Sequence, residues 1–251
     1  MPQTVFITGA SAGFGEAFTR RFVREGWQVV ASARRTDRLQ ALADELGPAV
    51  LPLALDLQDR DAVYAAFAAL PASHRAVDVL VNNAGLALGL EPAQTADPDD
   101  WDQMIETNVR GLVHCTRAAL PGMVERGRGH VINIGSVAAS YPYQGGNIYG
   151  ATKAFVRQFS LNLRSDLHGT GLRVSCIEPG LVGGTEFSQV RFRGDLERAE
   201  GVYRGANALS PEDIAETVWW TASLPPHVNI NTLELMPVTQ SFAGFQFRRE
   251  G

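Results

Sequence analysis

Cysteine is scarce. The 251 residues hold two, Cys115 and Cys176, and neither belongs to a CxxC pair or a Cys/His cluster. That usage excludes a disulfide framework and a structural zinc site and reads as two buried, reduced thiols, so no metal is expected. No apolar run approaches the length that spans a bilayer, and the chain opens into its first strand with no basic stretch ahead of it. A secretory leader and a membrane partner are therefore not expected. A surplus of positive charge is missing as well. Lys plus Arg number 22 against 27 Asp plus Glu, giving a formal charge of −5 with the basic residues scattered, which is a poor footprint for nucleic acid. Repeats, linkers and low-complexity tracts are absent too. The expectation is one domain over residues 1–251, cytoplasmic, acting on a small molecule.

What is present is alternation. Short runs rich in Val, Ile and Leu predict strands at 4–8, 28–33, 50–55, 77–81, 130–135, 173–178 and 231–236. Between them lie helix-period segments, the longer ones at 98–120, 147–168 and 211–223. This is the pattern of βα units on a parallel sheet: an α/β fold, Rossmann-type and doubly wound, in three layers α/β/α. Pro52 sits inside the third strand and cannot donate to a ladder, which puts that strand at a sheet edge. The order 3-2-1-4-5-6 has strand three at an edge, so the proline supports it independently.

After strand one the chain reads Thr8-Gly9-Ala10-Ser11-Ala12-Gly13-Phe14-Gly15. Glycines permit a tight turn and close backbone approach, and free amides at a helix start attract a pyrophosphate. A strand before the loop and an amphipathic helix after it are the context this fingerprint demands, so Gly9, Ser11, Ala12, Gly13, Phe14 and Gly15 are candidate cofactor contacts. An NAD site wants an acid at the end of strand two, where this chain has Ala31-Ser32-Ala33-Arg34-Arg35. Ser32, Arg34 and Arg35 suit a 2′-phosphate instead, through charge-assisted hydrogen bonds, which makes NADP the expected cofactor.

Tyr149 and Lys153 are four residues apart, hence on one helix face. A nearby ammonium lowers a phenol's pKa, so Tyr149 is read as the acid/base and Lys153 as the group that tunes it and reaches the ribose. Ser136 follows strand five at the carboxyl edge, where α/β sheets bind ligands, and its hydroxyl can hold the substrate oxygen beside the tyrosine. Asn108 lies inside a predicted helix without a capping task. It is either a satisfied core amide or a group whose backbone or side chain orders a water relaying protons to Lys153.

These motifs, with Asp56-Leu57, Asn82-Asn83-Ala84-Gly85 and Pro179-Gly180, resemble the short-chain dehydrogenase/reductase family across the whole chain. The resemblance implies that Asp56 meets the adenine, Asn83 the cofactor ribose, and residues 179–185 the nicotinamide end. Leu57, Ala84, Gly85, Pro179, Gly180, Val182 and Thr185 join the cofactor contacts, and a catalytic role for Asn108 is favoured. The segments 82–89, 149–163, 178–188 and 237–241 are similar to one bacterial subgroup, NADP-dependent dehydrogenases of small 3-hydroxy acids. That subgroup implies serine, L-allo-threonine, 3-hydroxyisobutyrate or 3-hydroxypropionate/malonic semialdehyde as substrates, and a homotetramer.

The stretch Tyr141-Pro142-Tyr143-Gln144-Gly145-Gly146-Asn147 is polar, which suits a small acid and makes Gln144 a candidate substrate contact beside Ser136 and Tyr149. Residues 185–209 read as a lid. Within it Arg191 or Arg193 can clamp a carboxylate, or each faces solvent. The tail 238–251, with Phe242, Phe245 and Phe247, and the helix face Phe155, Phe159 and Leu163 read as subunit contacts. Two other functions remain open: a reductase of 3-oxoacyl thioesters, and an NADP-sensing regulator without turnover.

Overall fold

The computed structural model describes residues 2–242. Seven parallel strands form one sheet in the order β3-β2-β1-β4-β5-β6-β7. They are β1 (Thr4–Thr8), β2 (Gln28–Ala33), β3 (Val50–Ala54), β4 (Val77–Asn82), β5 (Gly129–Ile134), β6 (Leu172–Pro179) and β7 (Thr232–Leu235). Pro52 pairs opposite Ala31 on the edge strand, as the sequence predicts. Period-2 alternation divides each strand between two cores. In β1, Val5 and Ile7 face the core shared with α1 (Gly13–Arg24), α2 (Thr36–Leu46) and α9 (Pro211–Ser223). Phe6 points the opposite way, stacks on Phe67 at 4.4 Å, and joins α3 (Arg60–Ala68), α5 (Leu112–Glu125) and α6 (Asn147–Asp166). Both faces of the sheet are covered, giving the expected three layers.

Three local readings are corrected. The predicted helix 98–120 is α4 (Pro98–Ile105), a π-helical turn over Glu106–Gly111, and α5, which runs through Pro121 to Glu125. A proline removes only one backbone donor, and the fully buried Met123 holds the last turn against the core. Leu163 lies in the core rather than on an outer face, whereas Phe155 and Leu161 are exposed. Helix α3 was not predicted; its packed side is short and half alanine, with only Val63 and Phe67 as large apolar residues. The segment 185–209 carries two short helices, α7 (Phe187–Arg191) and α8 (Leu196–Gly201).

Packing is tight where β1 turns into α1. A Cβ on Gly15 would stand 2.2 Å from the Gly9 carbonyl oxygen, so α1 can begin this close to the strand end only with glycine there. Gly15→Ala is expected to destabilise the fold by roughly 1–3 kcal/mol, the usual cost of overpacking. Differential scanning calorimetry should show Tm lowered by several degrees, and an unchanged Tm would mean the loop relaxes freely.

Candidate active site

A cleft of about 850 Å³ opens along the carboxyl edge of the sheet. All the predicted site residues line it except Gly15, Asn108 and Arg193. Its floor is laced together by backbone donors. Thr8 Oγ1 accepts from the amides of Asn83 and Ala84 at 2.9 and 3.0 Å, while Asn83 Nδ2 donates to the carbonyls of Thr8 and Gly9 at 2.9 and 3.3 Å. The Asn83 amide group is thus turned to the loop, which leaves its Oδ1 as the polar atom for a ligand. Gly9 has φ +69°, and a Cβ there would meet Ala84 Cα at 2.9 Å. Helix α1 starts at Ala12 with no side-chain cap, so its first amides remain available as donors. A bare glycine cradle with uncapped amides fits a pyrophosphate. Gly15 itself lies behind this loop and serves packing.

At the end of β2 the structure separates the three expected phosphate ligands. Ser32 is 1% exposed and its hydroxyl donates to the Ile7 carbonyl at 3.2 Å, so it ties β2 to β1. Arg34 and Arg35 are exposed at the cleft rim, and Arg35 Nε donates to Ser11 Oγ at 3.2 Å. The acid at that rim, Glu186, is itself paired to arginine, and two exposed guanidinium groups at the end of β2 fit a 2′-phosphate.

Ser136 directly follows β5. Its Oγ accepts from the Ala138 amide at 3.1 Å, and its side chain lines the cleft with Tyr149. Tyr149 and Lys153 sit one turn apart on α6, at 8% and 6% exposure, with the Lys153 Nζ 5.9 Å from the phenol ring centre. The Nζ donates to the Ile134 carbonyl at 2.8 Å, which fixes the side chain across the end of β5. Burial pushes the Tyr149 phenol up to about 12, a rise that nearby Ser136 and Arg191 oppose. Burial likewise pulls the Lys153 ammonium down to about 8. Both shifts are set first by burial, which disfavours the charged form of each group, rather than by an effect of Lys153 on the phenol.

Asn108 occupies the π-helical turn behind the cleft wall. Its Oδ1 accepts from the Leu86 amide at 2.9 Å, and its Nδ2 donates to the Leu86 carbonyl at 2.8 Å and to Thr152 Oγ1 at 3.1 Å. Both hydrogens of its side-chain amide are committed, so a water that it orders must donate to it, at the backbone carbonyl or at the second lone pair of Oδ1.

The lid arginines part company. Arg193 points outward and pairs with Asp97 and Asp100 at 3.3 and 2.7 Å. Arg191 turns inward over the cleft. Its Nε donates to the Gly89 carbonyl at 3.0 Å and its NH2 to the Tyr143 hydroxyl at 2.8 Å, leaving the remaining guanidinium donors free. Its guanidinium carbon is 5.6 Å from the Tyr149 ring centre, so the one lid cation in the cleft stands beside the phenol. Gln144 lines the same wall. The described part of the tail reaches the cleft as well: Gln240 Oε1 accepts from the Leu181 amide at 2.7 Å, and Phe242 lies 4.5 Å from the Tyr141 ring. Phe245 and Phe247 fall outside the described residues.

Residues 3–195 match the profile of the short chain dehydrogenases. The chain belongs to that family. This short-chain dehydrogenase is 66% identical over 245 residues to the NADP-dependent 3-hydroxy acid dehydrogenase YdfG of Salmonella typhi, covering 98% of this chain and 99% of that one. It is 55% identical over 250 residues to the serine 3-dehydrogenase of Agrobacterium fabrum, covering 100% of both. Among solved structures, the closed form of a serine dehydrogenase complexed with NADP+ matches with a TM-score of 0.97 at 62% identity, over 99% of this chain and 100% of that one.

Sequence reasoning missed Tyr143 as the partner of Arg191 and Arg38 as a rim cation. Neither falls in a motif, and only the fold brings them to the cleft. Composition held one further signal: Lys153 is the sole lysine in the chain, the other 21 basic residues being arginine. Lysine labelled with ¹³C at Cε should therefore give one side-chain resonance. Its titration is expected near 8 rather than at the ordinary 10.5; a midpoint above 10 would show the ammonium to be well solvated.

Proposed function

We propose that this short-chain dehydrogenase transfers a hydride between NADP(H) and small 3-hydroxy or 3-oxo acids. Serine, L-allo-threonine, 3-hydroxyisobutyrate and the pair 3-hydroxypropionate/malonic semialdehyde are the substrates in view. The observation that carries the reading is Arg191, held by Tyr143 and the Gly89 carbonyl beside Tyr149 with donors to spare. A substrate whose carboxylate sits on that guanidinium would have its hydroxyl a few bonds away, beside Tyr149 and Ser136. The names of the relatives above agree with this assignment, at 55% and 66% identity over nearly the whole chain.

In this reading NADP supplies the hydride acceptor or donor at its nicotinamide. Arg34 and Arg35 hold its 2′-phosphate, and the amides of Ser11, Ala12 and Gly13 its pyrophosphate. Ser136 donates to the substrate oxygen and holds it against Tyr149. Tyr149 takes the hydroxyl proton in oxidation and returns it in reduction, and Lys153 supplies positive charge behind it. Asn108 fixes the 85–86 backbone next to Lys153. The buried free thiols Cys115 and Cys176 suit a cytoplasmic protein. The exposed Phe155 and Leu161 on α6 suit burial between subunits of a homotetramer.

Initial rates followed at the nicotinamide band test the substrate class. Turnover is expected with 3-hydroxypropionate, much weaker turnover with its uncharged methyl ester, and none for an acyl-thioester with NADPH. Arg191→Met should raise KM for the acid tenfold or more, and Tyr143→Phe several-fold, with KM for NADP unchanged, since a charged hydrogen bond is worth about 1.5–3 kcal/mol. Equal rates on acid and ester would remove the carboxylate from the reading.

The pH profile follows from the two perturbed groups. A phenol raised to about 12 is protonated at neutral pH, so the deprotonated form required for alcohol oxidation grows with pH. Oxidation is expected to accelerate from pH 7 to pH 10. Reduction, which uses the protonated phenol, should be flat below about 8 and fall as the Lys153 ammonium is lost. A flat oxidation profile over that range would exclude Tyr149 as the base.

A further inference from the structure

Glu186 begins the lid, yet its carboxylate faces the opposite end of the cleft from the chemistry. Oε2 accepts from Arg35 NH1 at 2.7 Å and Oε1 from Arg38 NH1 at 2.7 Å. All three side chains are partly exposed at the rim, at 36% for Glu186 and 43% and 45% for the arginines. Arg35 is fixed further by its Nε on Ser11 Oγ in the glycine loop. One anion thus spans two guanidinium groups, with one oxygen on each. That is the manner in which a phosphate would engage the same pair.

Arg35 is one of the two arginines that the NADP reading assigns to a 2′-phosphate, and the inference rests on that reading. Two consequences follow from the geometry. Each N–H held by Glu186 is withdrawn from an incoming phosphate, and a carboxylate on the same guanidinium repels a second anion. Glu186 is also covalently next to Thr185, whose side chain closes on the glycine loop: a Cβ on Gly13 would stand 3.3 Å from Thr185 Cγ2. Five residues further along, the same segment carries Arg191. Moving Glu186 therefore moves the root of the helix that presents Arg191 to the reaction end.

We propose that Glu186 is a tethered competitor for the 2′-phosphate of the cofactor. It holds Arg35 and Arg38 in the ligand-free enzyme and yields them when a 2′-phosphorylated adenosine enters. Arg38 thereby becomes a phosphate-recognising residue in addition to Arg34 and Arg35, and the lid responds to a phosphate remote from the hydride.

The test is equilibrium binding on the full chain, by fluorescence titration with NADPH and NADH and by calorimetry with 2′,5′-ADP and 5′-AMP. Tighter binding of NADPH than NADH by the unsubstituted enzyme is the premise; if that fails, the cofactor reading fails before the competitor is tested. Glu186→Gln is expected to lower Kd for NADPH and for 2′,5′-ADP by about fivefold, the scale set by exposed ion pairs. Kd for NADH and 5′-AMP should not change. Arg38→Met should raise Kd for the two phosphorylated ligands alone and should diminish the gain from Glu186→Gln in the double variant. Weaker or unchanged binding of NADPH in Glu186→Gln would overturn the proposal, as would equal shifts for NADPH and NADH, which would mark Glu186 as a structural strut.

Discussion

Lys153 lies at 6% exposure with its ammonium on a backbone carbonyl at 2.8 Å, and much of the cleft is arranged around accommodating it. Burying a cation is costly unless hydrogen bonds replace its lost water, and a group that can give up its proton lowers that cost by doing so. Arginine lacks that option, since its guanidinium stays charged at any relevant pH. The chain uses arginine at every other basic position, mostly at the surface, and lysine only at 153. The choice of lysine there follows from the need for a buried, compact cation whose charge the environment can tune. Tyr149 faces the same constraint with the opposite sign of charge. Burial that weakens the ammonium also disfavours the phenolate, so the pair in this state is an acid ready to donate rather than a base ready to accept.

The glycines follow from that burial. A Cβ on Gly85 would stand 3.2 Å from Asn108 Oδ1 and 3.4 Å from Lys153 Nζ, so the 85–86 backbone can approach both only without a side chain. On the other side of the wall, a Cβ on Gly135 would meet Cys176 Sγ at 2.9 Å and Glu178 Cγ at 3.0 Å, just before Ser136 leaves β5. The 85–86 backbone and the Ile134 carbonyl thus enclose the Nζ from the protein side, and that loss of solvation lowers the ammonium.

The fold was legible because its signals are local. Pro52 declares an edge strand through its missing donor, and β1 declares two faces through its alternating side chains. The glycine loop, Ser136 and the Tyr149–Lys153 spacing were legible for the same reason, each being a short motif on one element. What failed was anything decided by a partner distant in sequence. Ser32 looked available until β1 supplied the Ile7 carbonyl for its hydroxyl. Leu163 looked external because helical spacing gives a face but not which side is covered. The direction of the Tyr149 shift depends on enclosure by segments as far away as Phe187 and Arg191, and no spacing within α6 contains that information. Arg38, four residues beyond Arg34, reads as an ordinary solvated residue until Glu186 arrives from 148 positions away.

The lid places charges of opposite sign at two ends of one short segment, and this arrangement has a mechanical meaning. Glu186 pairs outward with cations on the β2–α2 side, while Arg191 reaches inward to Tyr143 and the Gly89 carbonyl on the far side of the cleft. Helix α7 lies between them as a single turn, too short to be stable alone. Its position is therefore set by its two anchors rather than by internal hydrogen bonding. A ligand that competes for either anchor changes the tether on the other. Exposed pairs such as those of Glu186 are individually weak, and weakness suits the purpose: an anchor worth a fraction of the binding energy can be released by the ligand, whereas a buried ion pair could not.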